Sequence, residues 1–159
     1  MDRKWICLFI VFFAAVLVMG SVDAAELKDH NFKDYFSMKI PKNAHFQKQD
    51  DSFHENGLDM VSLIYSSDDL VISYQDAPMF GENSSEFFYQ YMFESIMSDL
   101  DECYESQEGN LTILQPKKID DMHIAMVGTS SGNETVIVMG KDLDLIKKMG
   151  KSVDFNPVG

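Results

Sequence analysis

Two residues in the first half of the chain, Asn56-Gly57, force it to double back on itself. Both tolerate positive φ, which a two-residue hairpin turn demands, and the pair is the strongest short signal for such a turn. Residues 45–55 lead in and residues 58–65 lead out. Around this hairpin the periodicity is that of strands. Residues 35–40 alternate, with Phe36, Met38 and Ile40 on one side, until Pro41 stops them. Ser66-Ser67-Asp68-Asp69 makes another turn, and residues 70–75 place Leu70, Ile72 and Tyr74 on one face. Period-two alternation between turn clusters reads as half-buried antiparallel strands. Four of them therefore precede any helix.

Pro78 and Gly81 end the strand pattern, and Asn83 with Glu86 offers a capping box. Tyr89, Phe93, Ile96, Leu100 and Cys103 then fall on one helical stripe, widened by Met92, Met97 and Tyr104. Glu86, Gln90, Glu94, Asp101, Glu102 and Glu105 take the other side, most simply a solvated face. Beyond Gly109, residues 111–115, 122–129 and 135–139 read as three more strands. In the second of these Met122, Ile124 and Met126 alternate with His123, Ala125 and Val127, which makes an exposed His123 the expectation. Asp142 opens a short helix over residues 143–149, with Gly150 expected as its left-handed cap. Val153 and Phe155 should pack back on the core. The fold class is α+β: an antiparallel β-sheet with one long and one short helix packed on it.

The chain's beginning gives an address. Arg3 and Lys4 precede an uncharged run of 18 residues, Trp5 to Val22, and Val22 and Ala24 are small residues at the −3 and −1 positions of a cleavage site. That is a secretory signal peptide, residues 1–24. A polar leader follows at residues 25–33, then one domain at 34–159. The product is secreted or extracellular. The alternative is a signal anchor, since 18 residues reach the lower limit of a spanning helix. The membrane contact would then run through residues 5–22 only, with the domain outside, as in an accessory subunit of a membrane complex.

Removing residues 1–24 leaves about 135 residues, enough for a real core. It also leaves the full net charge of −13 and no arginine. Such a chain repels phosphate backbones and lacks the planar fork that reads bases, so nucleic acid is excluded as a partner. Cys103 is then the only cysteine, and no internal disulfide can form. Its place on the helical stripe suggests a buried small hydrophobe. Asn83, Asn110 and Asn133 each begin an Asn-x-Ser/Thr triplet, a candidate glycosylation acceptor in an exported chain.

Residues 36–41, the hairpins, the long middle helix and a terminal helix leading to Ser152-Val153-Asp154-Phe155 resemble the Mog1/PsbP-like α/β/α sandwich. That resemblance implies a non-enzymatic binder or assembly factor. It carries over no functional residue, and fold alone would not assign one.

No motif commits the chain to a reaction. Gly128-Thr129-Ser130-Ser131-Gly132 spells G-x-S-x-G, but a strand rather than a helix is expected after it, and no histidine follows. His54-Glu55 begins like a zincin helix, yet Asn56-Gly57 turns the chain before a second histidine could fall on the same face. Asp50, Asp51, His54 and Glu55, with His45 nearby, form a looser candidate for a divalent metal and hence for a metal-dependent enzyme or metal carrier. Asp142 and Asp144 suit a helix cap and first turn better than a calcium loop. Phe80, Phe87 and Phe88, with Glu94 and Asp101 on the acidic side, form the candidate ligand or partner surface. The expectation is a non-enzymatic exported protein that binds an unknown protein or small ligand and needs no cofactor.

Overall fold

The computed structural model describes residues 26–55, 58–76, 103–117, 122–129 and 133–155. Ten strands and one helix fall within them: β1 (Leu27–Asn31), β2 (Ser37–Pro41), β3 (Gln47–Asp50), β4 (Phe53–Glu55), β5 (Leu58–Ser66), β6 (Leu70–Asp76), β7 (Cys103–Glu108), β8 (Leu111–Pro116), β9 (His123–Gly128), β10 (Glu134–Gly140) and α1 (Leu143–Lys151). The fold is α+β but mostly antiparallel sheet. The expected signal peptide and nearly all of the expected long helix fall on residues outside those described.

Eight strands form one sheet in the order β3-β5-β6-β10-β9-β8-β7, with β4 also paired to β5. It consists of two meanders joined where β6 meets β10, Tyr74 opposite Val136. Glu55 pairs with Leu58, the register that a two-residue loop at positions 56 and 57 requires. β1 and β2 make a separate two-stranded ribbon, five residues each.

The ribbon and α1 share one face of the sheet. Phe32, Phe36, Met38 and Ile40 meet Leu63, Ile72, Tyr74, Leu111, Val127 and Val136 there, with Ile146 and Met149 from the helix. Phe36 stacks on Phe32 at 4.4 Å and on Tyr74 at 5.4 Å. Val153 and Phe155 pack on the same core, as expected, and Ser37 and Asp154 exchange two backbone hydrogen bonds of 2.8 Å. The second face carries a smaller cluster of Leu114, Ile124, Met126 and Ile137.

Four expectations need correction. Leu27–Asn31, inside the polar leader, is a strand; only Leu27 is even half-buried, so alternation could not mark it. Residues 103–105, expected to close the long helix, open β7. His123 is half-buried and shares a face with Ala125 and Val127, because β9 is covered on both sides. Gly150 lies within α1, whose C-cap is Ser152 at φ −94°. Its lack of a side chain serves packing instead, since a Cβ there would come within 2.6 Å of Leu111 Cδ1.

Candidate functional site

The proposed metal-binding stretch spreads along β3 and β4 rather than converging. Asp50 accepts from Lys48 at 2.9 Å and from the Ser52 amide at 3.3 Å. The Ser52 side chain and then Lys48 hold its carboxyl down at about 2. Asp51 takes the Gln49 amide at 2.9 and 3.1 Å. His54 Nδ1 lies 2.6 Å from Asp59 Oδ1 across the hairpin. Among the described residues no three His, Cys, Asp or Glu side chains gather to hold an ion. The Glu55 side chain is outside that set, as are Phe80, Phe87, Phe88, Glu94 and Asp101.

Of the candidate glycosylation sites, Asn110 is exposed in the tight β7–β8 turn, where Gly109 takes φ 68°. Asn133 is half-buried at the start of β10, and Asn83 is outside the described residues. Of the G-x-S-x-G letters, Ser130, Ser131 and Gly132 lie outside the described residues; the Thr129 amide donates to Glu134 O at 3.0 Å, and β10, a strand rather than a helix, follows. Asp142 caps α1, its Oδ1 accepting from the Leu145 amide at 3.0 Å.

Two polar groupings escaped the sequence. On the helix face Asp76 stands opposite Glu134 across β6 and β10. Burial pushes both carboxyls up, and for Glu134 the neighbouring Asp76 adds to it. The Tyr74 hydroxyl donates to Glu134 Oε1 at 2.8 Å, with the Tyr35 ring 5.2 Å from that of Tyr74. On the second face Ser62, Gln75, Thr135 and Gly128 form one row across β5, β6, β10 and β9. Each is an alternation partner of an apolar residue, so only strand pairing reveals the row.

The sheet's two edges differ. The β3–β4 edge is short, carries Lys48 and is interrupted at Asp51-Ser52. Such features blunt an edge against pairing. The β7 edge is an unbroken strand of six residues. Tyr104, Glu105, Ser106 and Gln107 are all exposed on it, and at 63% Tyr104 is the most exposed large hydrophobic among the described residues. Lys117 Nζ sits 4.8 Å from the Tyr104 ring centroid. Glu108 is drawn back to α1 by Lys147 at 2.6 Å and Lys151 at 2.7 Å.

Compared with protein-family models, with curated proteins and with solved structures, the chain matches none.

Proposed function

We propose that this chain is a small exported, non-enzymatic binding or accessory protein, and that it engages an extended segment of a partner protein by strand addition at β7. The observation that carries this reading is that, among the described residues, β7 is an unbroken strand paired on one side only, by β8, at the end of the sheet opposite a blunted edge. An edge strand offers a row of main-chain donors and acceptors to an incoming strand, while alternate side chains such as Tyr104 and Ser106 give selectivity. Self-pairing is disfavoured because each copy carries a net charge of −13. The basic head, apolar run and small-residue exit of residues 1–24 support the address, and the Mog1/PsbP-like resemblance implies the same kind of role.

Two measurements test it. The mass of the native product should correspond to a chain beginning at Ala25; a cytosolic product that retains residues 1–24 removes the exported reading. A partner captured from the native cell envelope by the wild-type chain should be lost with Ser106→Lys. That change puts a gatekeeper charge on an exposed position where folding is little affected. Equal capture by the variant removes strand addition.

A further inference from the structure

Register decides which main-chain groups β7 offers. Glu108 pairs with Leu111 across Gly109 and Asn110. The closing pair of a two-residue turn exchanges both of its hydrogen bonds, and bonded pairs alternate from there. Ser106–Ile113 and Tyr104–Gln115 are therefore bonded pairs too. Pro116 stands opposite Cys103 at an unbonded position, which suits a residue with no N–H to give. The N–H and C=O groups of Glu105 and Gln107 consequently point away from β8, the one strand paired with β7 among the described residues. Those are the four groups that an added strand meets.

The two sides of that edge differ in charge. Tyr104, Ser106 and Glu108 share the helix face, because Ile113 and Leu111, the partners of Ser106 and Glu108, belong to the core there. Lys117 lies over the Tyr104 ring at one end of the row. Lys147 and Lys151 converge on Glu108 at the other. Three ammonium groups against one carboxylate make this flank positive, in a chain whose net charge is −13. Glu105 alternates onto the second face. Tyr104 and Glu108 are four residues apart, about 13 Å along a strand.

We infer, resting on the reading that β7 accepts an added strand, that the strand it accepts is acidic: an extended protein segment with carboxylates four residues apart, one reaching Lys117 and the other Lys147 and Lys151. Residues four apart on a strand share a face. Both carboxylates thus turn to the helix side while the segment's main chain pairs with Glu105 and Gln107. The net charge of the whole chain does not forbid this. Its field is screened within about 8 Å at physiological salt, so the lysines in contact decide. A segment with lysines at the same two positions sets like charges side by side, and charge across an interface discriminates in that way.

Titrating the isotope-labelled mature chain with the end-blocked peptide Thr-Glu-Val-Thr-Val-Glu-Thr tests the inference, beside two analogues with glutamine or lysine in place of both glutamates. Saturable amide shifts are expected at residues 105 and 107. The glutamate peptide should bind about three- to tenfold more tightly than the glutamine peptide, the effect of two exposed ion pairs, and the lysine peptide most weakly. High salt should shrink that preference. So should Lys117→Gln and, separately, the pair Lys147→Gln with Lys151→Gln, while affinity for the glutamine peptide holds. Thermal midpoints of the variants report whether they fold. A lysine peptide that binds as tightly as the glutamate peptide overturns the inference and leaves strand addition standing, as do folded variants with an undiminished preference. Absence of saturable shifts at residues 105 and 107 with all three peptides overturns strand addition, and this inference with it.

Discussion

Tyr74 joins three parts of the molecule with one side chain. Its ring stacks on Phe36 of the ribbon segment, its backbone pairs β6 with both neighbours, and its hydroxyl reaches Glu134 on β10. Burial raises the phenol's pKa, so it stays a neutral donor throughout the useful range. Glu134, half-buried and facing Asp76, depends on that donor. Replacing Tyr74 by Phe keeps the ring packing and removes the hydrogen bond. A loss of about 1 kcal/mol at neutral pH is expected, since one partner of a partly buried carboxylate is lost. Urea unfolding of Tyr74→Phe checks this, and an unchanged midpoint would mean that water replaces the hydroxyl freely. The sequence placed Tyr74 on its face through period-two alternation. It could not place Glu134 beside it, because the two residues lie 60 positions apart.

At the scale of elements, what could be read was what is local. The α1 start was legible because Asp142 is a capping residue immediately before the apolar spacing of Leu145, Ile146 and Met149. The Asn56-Gly57 hairpin was legible because turn chemistry acts over two residues. What was missed depends on neighbours. The sequence Leu-Lys-Asp-His-Asn of β1 has no apolar alternation; it is a strand because β2 offers it a ladder, from Leu27–Pro41 to Asn31–Ser37. Tyr104 and Glu105 fit a helical stripe and acidic face when counted at 3.6 residues per turn. They extend instead because β8 lies beside them, and an exposed edge strand leaves no pattern of its own. Gly150 looked like a terminator, whereas it lies inside α1 against Leu111, far away in sequence, whose Cδ1 would have to shift to admit a Cβ. The Ser62–Gln75 row needed strand order as well as strand positions, and order is not a local property.

The whole molecule balances opposed ionisations, and their signs fix how its stability responds to acid. Asp76 and Glu134 are raised, so the folded state takes up their protons before the unfolded chain does. Their contribution is lost as pH rises through the folded values and is fully present below the ordinary carboxyl values. Asp50 and Glu108 are lowered to about 2 from 3.8 and 4.5, Glu108 through Lys147 and then Lys151. What they add is present above the ordinary values and fades as pH falls toward 2; it is small because both are exposed. His30, exposed on β1 but lowered by partial desolvation of its ring beside Phe32 and then by Lys28, opposes folding as pH drops through its ordinary 6.5. Against that single imidazole stand two raised carboxyls and the relief of a net charge of −13. Thermal stability is therefore expected to rise from pH 7 to about pH 5 and to fall again below about pH 4. Asp76→Asn should raise stability at pH 7 and flatten the limb between pH 7 and 5, leaving the acid limb in place. Melting curves across that range decide it: a midpoint that drops steadily from pH 7 downward would mean that the paired carboxyls on β6 and β10 are too well hydrated to govern the fold.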